Sequence, residues 1–485
     1  MPFERSAFDS VRGLHLGRLK SDDLAAQVID LVKNVDKTGY RLNSIMALAP
    51  KKEGQIFDSD SPLAGLPVVI KDNIEAIGLP CTAGSPILAK HTVTTDSQLV
   101  RRLRLAGANI IGSSNLSEWA NIRSKSSSSG WSSVGGLTAN PWIHNHSAGG
   151  SSSGSGAAVA AGLVALAVGT ETNGSIISSA SLNGCVGIKP TVGLIPTQGI
   201  VPISASQDSP GPLARSVLDA ALLLEVMSSK SGYVSATQDT RFLRIGIVRS
   251  WLTGHDGTNA LFDSTISKLS KTGTRLIEIE LKAPDIDVGN DEQEVLLHEL
   301  FDDLSTYLST RTNSKIKSLA DVVSFNLAHK NTELKYFGQD LFEKAILLRG
   351  RNEAYRAVRA RNLAWAQKTL HQGFADVDVL IGATYPPAWI STLGKGDNNK
   401  SKSWITMAPA ISGSPIATLP MGICEGLPVG IGVVAKKNHE PLLLTALAQI
   451  ERSLNIGVLQ PTFMSSPPHE ITTYKSDIKQ ITQQL

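Results

Sequence analysis

Apolar positions along the chain form two kinds of pattern: short continuous runs, typical of buried strands, and longer runs with helical spacing. The strand-like runs lie at 43–48, 66–73, 108–112, 184–191, 244–248, 377–381, 416–420 and 429–434. The helical patterns lie at 21–39, 97–107, 115–123, 215–227, 260–271, 292–311, 340–371 and 441–453. Because strands and helices alternate, the pattern predicts an α/β fold.

The stretch from Ser147 to Ser175 differs from the rest of the chain in its small residues. Its first ten positions, 147–156, are Gly or Ser except for Ala148. An Ala-rich apolar segment at 157–168 predicts a buried helix, and a second small-residue loop follows at 169–175. Gly and Ser allow backbone N–H groups and hydroxyls to come close to a ligand. We therefore expect two tight loops at the two ends of one core helix, with a binding site between them.

Composition and charge exclude several classes of protein. The chain has 485 residues, with 41% apolar and 18% charged positions, which is typical of a soluble globular protein. The net charge of +3 gives no indication of nucleic-acid or anionic-membrane binding. No signal peptide is apparent and the longest apolar run is too short to cross a bilayer, so a cytoplasmic location is expected. The three cysteines, Cys81, Cys185 and Cys424, are predicted to be buried free thiols.

Two motifs resemble a nucleophile motif and a metal site, but neither is favoured as a catalytic or metal-binding feature. Gly150–Gly154 matches the GxSxG pattern, which would make Ser152 a nucleophile. However, the residues before it do not resemble a buried strand, and a Ser/Gly-rich run produces this pattern by composition. His144 and His146 have no further ligand close in sequence, so a metal site is not favoured. A contribution of either histidine to a distant serine triad stays open.

Lys71 and Ser175 are the other candidates. Lys71 ends an apolar strand-like run, and a lysine desolvated beside a Gly/Ser loop can act as a base near neutral pH. The alternative is a surface lysine whose stem covers apolar surface. Ser175 follows a short Asn-Gly turn, where consecutive N–H groups are expected to face one oxyanion. The alternative is an ordinary loop serine.

Together these features resemble the amidase signature family, whose members are hydrolases with a Ser-cisSer-Lys triad. Gly149–Ser152 matches the family loop that holds the bridging serine, and Glu171–Ser175 matches the loop that holds the nucleophile. Ile70–Ser85 matches the pattern that contains the catalytic lysine. The resemblance extends from about Ser21 to Glu451.

The resemblance implies an α/β amidase-signature fold: a large mixed, mostly parallel twisted sheet covered by helices on both faces. It implies a single amidase domain over residues 1–485, with a core at 60–225 and 375–455. The segment at about 230–375, which has fewer small residues and more charge, is expected to be a helical elaboration on that core.

The resemblance also implies a mechanism. Ser175 attacks an amide carbonyl, Ser151, on a cis peptide, relays the proton to neutral Lys71, and water then cleaves the acyl-enzyme. Ammonia or an amine is released, without a metal or cofactor. The residues expected to form the oxyanion hole or to contact substrate are Thr172, Asn173, Gly174, Ser175, Ser152 and Trp131.

A narrower resemblance, to the peptide amidase branch, is visible in short motifs. They lie at 115–121, 129–132, 169–172, 202–208, 387–389 and 396–397. That branch removes the C-terminal amide of peptides, which makes a small amide or a peptide amide the expected substrate. Three positions depart from the family pattern: Ser153 and Asn173 replace glycines, and Ile177 replaces a frequent arginine. The change at Asn173 is expected to narrow the pocket.

Other functions stay open at this point. One is a glutamine-hydrolysing subunit of a tRNA-dependent amidotransferase, and another is an amidase for anilides, carbamates or ureas. A catalytically idle binding protein on the same fold is a third. The chain is expected to act as a monomer or homodimer, and substrate choice is expected to depend on the loops at 124–131 and 385–399.

Overall fold

The computed structural model describes residues 6–50, 57–90, 93–311, 315–398 and 401–464. The polar tail predicted after residue 465 lies outside these ranges. The strands are β1 (Ile45–Leu48), β2 (Pro67–Lys71), β3 (Asn109–Ser114), β4 (Trp131–Ser132), β5 (Gly136–Leu137), β6 (Leu166–Glu171), β7 (Val186–Lys189), β8 (Ser209–Ala214), β9 (Arg244–Ile247), β10 (Arg275–Glu278), β11 (Val379–Ala383), β12 (Ile416–Cys424) and β13 (Leu427–Ala435).

Sixteen α-helices accompany these strands in the described part of the chain. They are α1 (Ala7–His15), α2 (Ser21–Leu31), α3 (Pro86–Ala89), α4 (Gln98–Leu105), α5 (Ser153–Ala160), α6 (Ile177–Asn183), α7 (Val217–Ser228), α8 (Tyr233–Ala236), α9 (Asp256–Lys271), α10 (Ile286–Thr310), α11 (Leu319–Ala328), α12 (Lys330–Glu333), α13 (Asp340–Leu348), α14 (Glu353–Gly373), α15 (Met407–Ser412) and α16 (Glu440–Leu454). Helix α2 continues as a π-helix at Val32–Thr38.

One large sheet organises the molecule. In the described part of the chain, its eleven strands have the order β1-β3-β2-β6-β8-β7-β12-β13-β11-β9-β10, and β4 and β5 form a separate hairpin. Parallel pairs occur in two blocks, β3-β2-β6 and β11-β9-β10, whereas the strands between them pair antiparallel. The expected mixed sheet in an α/β fold is therefore confirmed, with its parallel pairing confined to the two blocks.

Helices cover both faces of this sheet. On β2, Val68 and Ile70 pack into a core shared with α7 and α16, whereas Val69 packs on the opposite side into a core shared with α5. Successive side chains of a strand point to opposite faces, so β2 is buried from both sides. This explains why its sequence is a continuous apolar run instead of an alternating one.

The segment at 157–168 is not the single core helix that we predicted. Helix α5 ends at Ala160, Gly162 has φ +68°, and the chain then enters β6 at Leu166. A glycine in the left-handed conformation commonly ends a helix, and a short apolar run does not distinguish a buried strand from a buried helix. The second small-residue loop therefore follows a strand of the main sheet.

The region expected to be a helical elaboration contains more than helices. β9 and β10 lie within it and extend the main sheet, so the purely helical part begins with α10 and ends with α14. The long helix predicted at 340–371 is divided into α13 and α14 near Gly350, which has φ +71°. The helix predicted at 115–123 is a short 3₁₀ turn at Glu118–Asn121. The single-domain organisation stays a prediction.

The lengths and apolar content of the helices also bear on membrane insertion. Among the residues that the structure describes, no helix has both the length and the apolar character needed to cross a bilayer.

Candidate active site

The parallel pairing of β2 with β6 brings the two halves of the candidate site together. Val68 lies beside Leu166 and Ile70 beside Val168, so the two strands end at the same edge of the sheet. Lys71 is the last residue of β2, and β6 ends with Glu171. The carboxyl ends of parallel strands are a common position for functional groups. The small-residue loop that leads to Ser175 starts at this edge.

Lys71 is fully buried and lies among hydroxyl groups. Its Nζ is 2.7 Å from Ser151 Oγ and 3.1 Å from Ser152 Oγ. It is also 2.9 Å from the Thr170 hydroxyl and 3.2 Å from the Thr170 carbonyl oxygen. Asn73 Nδ2 donates to the same Thr170 hydroxyl at 3.0 Å. The sequence prediction that Lys71 lies beside the Gly/Ser loop therefore agrees with the positions of these atoms.

Burial determines the electrostatics of this lysine. Desolvation lowers the pKa of Lys71 to about 7, against the opposing influence of Asp208 and Glu171, whose charges raise it. Loss of hydration disfavours the charged ammonium more than the neutral amine. A large fraction of Lys71 is therefore unprotonated near neutral pH, as a base requires.

The hydrogen bonds distinguish the two serines that contact Lys71. Ser152 Oγ donates to the Thr170 carbonyl at 3.0 Å and accepts from the Thr170 N–H at 3.2 Å. Its only proton is thus directed away from Lys71. A neutral amine has two N–H donors and one lone pair. Nζ can donate to Ser152 and Thr170 while its lone pair accepts from the Ser151 hydroxyl, which makes Ser151 the serine suited to proton transfer.

Ser151 follows a cis peptide bond between Gly150 and Ser151. Its carbonyl oxygen accepts from Ser117 N–H at 3.1 Å, and α5 starts two residues later. A Cβ at Gly150 would lie 2.3 Å from Ser117 Oγ, so only glycine fits before Ser151 without displacing its neighbours. This close packing holds Ser151 against Lys71.

Ser175 lies at the end of the loop after β6 and is 9% exposed. Its carbonyl oxygen accepts from Ser152 N–H at 3.1 Å, which joins the two small-residue loops. Glu171 accepts from the N–H groups of Ile176 and Ile177 at 2.7 and 2.9 Å, so the chain turns around this carboxylate. Within the described residues, no hydrogen bond joins the Ser175 and Ser151 hydroxyls.

Each residue between Glu171 and Ser175 contacts a different part of the fold. The Thr172 hydroxyl donates to Asp208 Oδ1 at 2.6 Å. The Asn173 side chain donates to the carboxylate of Glu292 on α10. Gly174 has φ +82°, and a Cβ there would lie 2.7 Å from the Tyr385 hydroxyl. The backbone of this loop is thus held in place from three sides.

A cavity of about 80 Å³ borders this loop. Among the residues that line it are Asn73, Thr170, Thr172, Asp208 and Pro202. Burial raises the pKa of Asp208 to about 6, although it accepts from Thr172 and from backbone N–H groups. The cavity therefore combines hydroxyl groups with two carboxyl groups, those of Asp208 and Asp303, close to the contacts of Lys71.

Trp131 lies in an aromatic cluster and is buried. Its ring packs edge-on against Tyr336 and Phe337, each at 5.2 Å between ring centroids, and Arg123 lies 4.2 Å above the Phe337 ring. The loop that holds Trp131 is joined to the 385–398 segment through Asp397, which accepts from Ser129 N–H at 2.9 Å. The role of Trp131 in substrate binding stays a prediction.

Candidate metal ligands are grouped elsewhere. In the described part of the chain, His255, Cys424 and Glu425 have ligand atoms within 4.8 Å of one another, at the turn between β12 and β13. Neither of the two histidines considered from sequence belongs to this group. His146 Nδ1 lies 2.8 Å from Asn145 Oδ1, and the His144 ring packs against Tyr40.

A model of the amidase family matches residues 40–444. The chain belongs to the amidase family. A probable amidase of Arabidopsis thaliana is 34% identical over 429 residues, which cover 84% of this chain and 78% of that protein. A glutamyl-tRNA(Gln) amidotransferase subunit of Methanosarcina acetivorans is 29% identical over 468 residues, or 91% of this chain and 95% of that protein.

Solved structures agree with this assignment. The native peptide amidase of Stenotrophomonas maltophilia aligns with a TM-score of 0.87 and 35% identity, over 95% of this amidase and 99% of that chain. A peptide amidase in complex with the competitive inhibitor chymostatin aligns equally well, with a TM-score of 0.87 and 35% identity over 94% and 99% of the two chains. The family and fold expected from sequence are confirmed, and the protein is an amide hydrolase.

Sequence reasoning about this amidase missed four residues that contact the candidate site. Thr170 and Asn73 lie next to Lys71, and Asp208 holds Thr172. Asn73, Thr170 and Asp208 each lie within a motif that carries the resemblance, at 70–85, 169–172 and 202–208, which was the available signal. Glu292 had no signal, since it is 119 positions from Asn173 in a helix with many other acidic residues.

Proposed function

We propose that this amidase cleaves amides through a Ser175 acyl-enzyme, with Ser151 and Lys71 as the proton relay. The proposal rests on one observation: a fully buried lysine, with its pKa lowered to about 7, lies 2.7 Å from the hydroxyl of Ser151. Such an amine can accept a proton at neutral pH and return it later in the cycle.

The proposed steps move two protons. Ser175 Oγ forms a bond to the amide carbonyl carbon while its proton passes to Ser151, whose own proton passes to Lys71. The tetrahedral intermediate then breaks its C–N bond, and the leaving nitrogen takes a proton from Lys71 through Ser151. Water attacks the acyl-enzyme by the same relay, which frees the acid and restores Ser175. The Ser175 and Ser151 hydroxyls must come within hydrogen-bond reach when substrate binds, as is common for catalytic contacts that are long in the free enzyme.

The backbone N–H groups of Thr172, Asn173, Gly174 and Ser175 are proposed to stabilise the oxyanion. The side-chain contacts of Thr172 and Asn173 and the packing of Gly174 support this role, because they hold the loop before substrate arrives. N–H donors fixed in advance stabilise developing charge without reorganisation, and the loss of one typically costs about 100-fold or more in rate.

The proposed substrate is a peptide that ends in a carboxamide, with ammonia as the leaving group. Support comes from the likeness to the peptide amidase, which covers 94–99% of both chains at a TM-score of 0.87. A second candidate, glutamine hydrolysis as part of an amidotransferase, is favoured by the likeness to the Methanosarcina acetivorans protein. The monomeric or homodimeric state and the cytoplasmic location stay predictions.

The first prediction tests the triad. Purified single chain is offered acetyl-alanyl-leucinamide, hexanamide, an anilide and free glutamine, and ammonia or amine release is measured. We expect the peptide amide to be the best substrate, and Ser175→Ala and Lys71→Ala each to lower its turnover by about 1,000-fold or more. Because the residues act as a unit, the double variant should be little slower than the slower single variant.

Matched controls separate loss of chemistry from loss of fold. Ser175→Ala removes one hydroxyl, so its circular dichroism and melting temperature should stay close to those of the parent. Near-normal turnover in folded Ser175→Ala or Lys71→Ala would contradict the proposed mechanism. Preferential hydrolysis of glutamine would replace the peptide-amide proposal with the amidotransferase one and leave the triad unchanged.

A further inference from the structure

We propose that Glu292 is a positioning residue for the oxyanion loop and that it acts through Asn173. Glu292 lies on α10, in the helical region between the two blocks of core sequence. The inference rests on the proposed function, because it assigns Glu292 to the loop whose N–H groups are proposed to bind the oxyanion.

The contact is direct and buried. Asn173 Nδ2 donates to both oxygens of the Glu292 carboxylate, at 2.8 Å and 3.0 Å. Gln207 Nε2 donates to Oε1 of the same carboxylate at 3.0 Å. Glu292 is 6% exposed, so these amides replace water as its hydrogen-bond partners. A buried carboxylate needs such donors, since an unsatisfied one would be strongly destabilising.

The hydrogen bonds around Glu292 use its carboxylate oxygens as acceptors. Burial raises the pKa of Glu292 above its ordinary value, and the hydrogen bonds from Gln207 and Asn173 and the charges of Lys402 and Arg359 only partly oppose this shift. Among the residues that the structure describes, every hydrogen bond that reaches this carboxylate comes from an N–H donor. An ionised carboxylate only accepts hydrogen bonds, and each partner of Glu292 is a donor, so the carboxylate and its partners are complementary.

The position of Asn173 makes this contact relevant to catalysis. Asn173 precedes Gly174 and Ser175, and its own N–H is one of the proposed oxyanion donors. Thr172 is held on the other side by Asp208, and Gly174 packs against Tyr385. Thr172 and Gly174 are thus already held on either side of Asn173. The hydrogen bonds from Asn173 to Glu292 on α10 therefore further limit rotation of the peptide groups between them. Small displacements of such groups have large effects on rate.

A purely structural link between α10 and the loop would have another signature. Loss of such a link would lower the free energy of unfolding and leave the chemical step of the folded enzyme unchanged. Loss of a contact that positions the oxyanion donors would lower kcat and change KM little, because the oxyanion develops only in the transition state. The two roles are therefore separated by kinetics on folded protein.

The test uses the full chain and two readouts. One is hydrolysis of acetyl-alanyl-leucinamide, from which kcat and KM are obtained. The other is the labelling rate with a fluorophosphonate, in which Ser175 Oγ forms a bond to phosphorus, fluoride leaves and the hydroxyl proton passes to Ser151. Labelling does not require the natural substrate to be known, and it places a phosphonyl oxygen where the oxyanion is proposed to lie.

Two variants disrupt the hydrogen bonds between Asn173 and Glu292, one by changing the acceptor and one by removing the donor. A third variant serves as the matched control. Glu292→Gln keeps the side-chain shape but replaces one acceptor oxygen with a donor, and Asn173→Gly removes the amide from the loop. Glu299→Gln is the control: Glu299 is buried on the same helix and accepts from Ser206 N–H at 3.1 Å and from the Tyr355 hydroxyl at 2.6 Å. Melting temperatures are recorded for all variants.

We expect Glu292→Gln and Asn173→Gly each to slow kcat and labelling by about 10-fold or more relative to Glu299→Gln, with KM changed by less than about 3-fold. In the double variant, Glu292→Gln should add nothing to the effect of Asn173→Gly, since both remove one interaction. If Glu292→Gln does not fold, Asn173→Gly still tests the contact.

The outcomes distinguish this inference from the proposed function. Labelling of Ser175→Ala at the parental rate would contradict the proposed nucleophile itself. Loss of labelling in Ser175→Ala, together with Glu292→Gln or Asn173→Gly variants that react as fast as Glu299→Gln, would overturn only the positioning role. Additive effects in the double variant would show that Glu292 does not act through Asn173.

Discussion

At the scale of single residues, the mechanism that we propose for this amidase depends on the protonation of one lysine. The Lys71 ammonium has lost its hydration, and the opposing charges of Asp208 and Glu171 only partly restore the stability of the charged form. Its pKa is about 7, far below the 10.5 of a free lysine. The neutral amine is the form that the proposed relay requires.

This pKa gives a prediction for the pH profile. The fraction of neutral Lys71 rises as the pH increases through about 7, so kcat/KM should rise through the same range and then level off. The measurement is kcat/KM for acetyl-alanyl-leucinamide between pH 5 and 9, checked for stability at each pH. An activity that falls as the pH rises through 7, or a rising limb centred near 10, would contradict a neutral Lys71 base.

Asp208 provides the control for this profile. Its negative charge raises the pKa of Lys71, so Asp208→Asn should shift the rising limb to lower pH. In the parent protein the Thr172 hydroxyl donates to Asp208 Oδ1 at 2.6 Å, and the Oδ1 of an asparagine at this position can accept the same hydrogen bond. A shift to higher pH would mean that the limb belongs to another group.

At the scale of elements, the site depends on how closely α5 approaches α6. A Cβ at Gly156 of α5 would lie 2.5 Å from the Ser179 carbonyl oxygen and 3.0 Å from Asn183 Nδ2, both on α6. Ser151 precedes α5, and Ser175 precedes α6. The distance between these two helices therefore affects the distance between the two serines.

Two glycines in helices should respond in opposite ways to alanine. Gly156→Ala is expected to lower the free energy of unfolding by about 1–3 kcal/mol and to reduce turnover, because α5 must move away from α6. A Cβ at Gly289 of α10 meets nothing within 4 Å, so Gly289→Ala should stabilise the protein by up to about 1 kcal/mol. Urea unfolding of both variants provides the measurement. Equal changes in the two variants would argue against close packing at Gly156.

Strands and loops of the site were predictable where their signal is local. The apolar run that ends at Lys71 and the small-residue loops have patterns that follow from burial and close packing. The division of 157–168 into α5 and β6 was not predictable, because a short apolar run fits either element and the left-handed Gly162 is not visible in the sequence. The pairs Asp208–Thr172 and Glu292–Asn173 join residues 36 and 119 positions apart, and hydrogen bonds of this kind have no sequence periodicity.

At the scale of the whole molecule, a buried charge cluster connects the helical region to the core. Arg123 pairs with Glu118, both fully buried, and Arg123 also donates to the Phe337 carbonyl at 3.4 Å. Glu333 of α12 is buried nearby and accepts from Ser85 Oγ at 3.0 Å. Two carboxyl groups thus share the charge of one guanidinium away from water, and the second carboxyl is favoured in its neutral form.

This sharing makes stability depend on pH with a definite sign. Burial, followed by repulsion from Glu118, raises the pKa of Glu333 from 4.5 to about 8, so the folded chain holds a proton that the unfolded chain releases above pH 4.5. The contribution of Glu333 is fully present below pH 4.5 and is lost as the pH rises to about 8. Glu333→Gln imitates the protonated form and removes this dependence.

The free energy of unfolding of Glu333→Gln, minus that of the parent, should therefore increase from pH 5 to pH 9, by about 1 kcal/mol or more. Exposed Glu353 of α14 is the matched position, and Glu353→Gln should show a much smaller change over the same range. Urea titrations at pH 5, 7 and 9 measure both differences. A difference for Glu333→Gln that stays flat or decreases with pH would mean that Glu333 is ionised in the folded protein and that Arg123 stabilises both carboxylates. In that case the junction between the helical region and the core would be strengthened by alkaline pH instead of weakened by it.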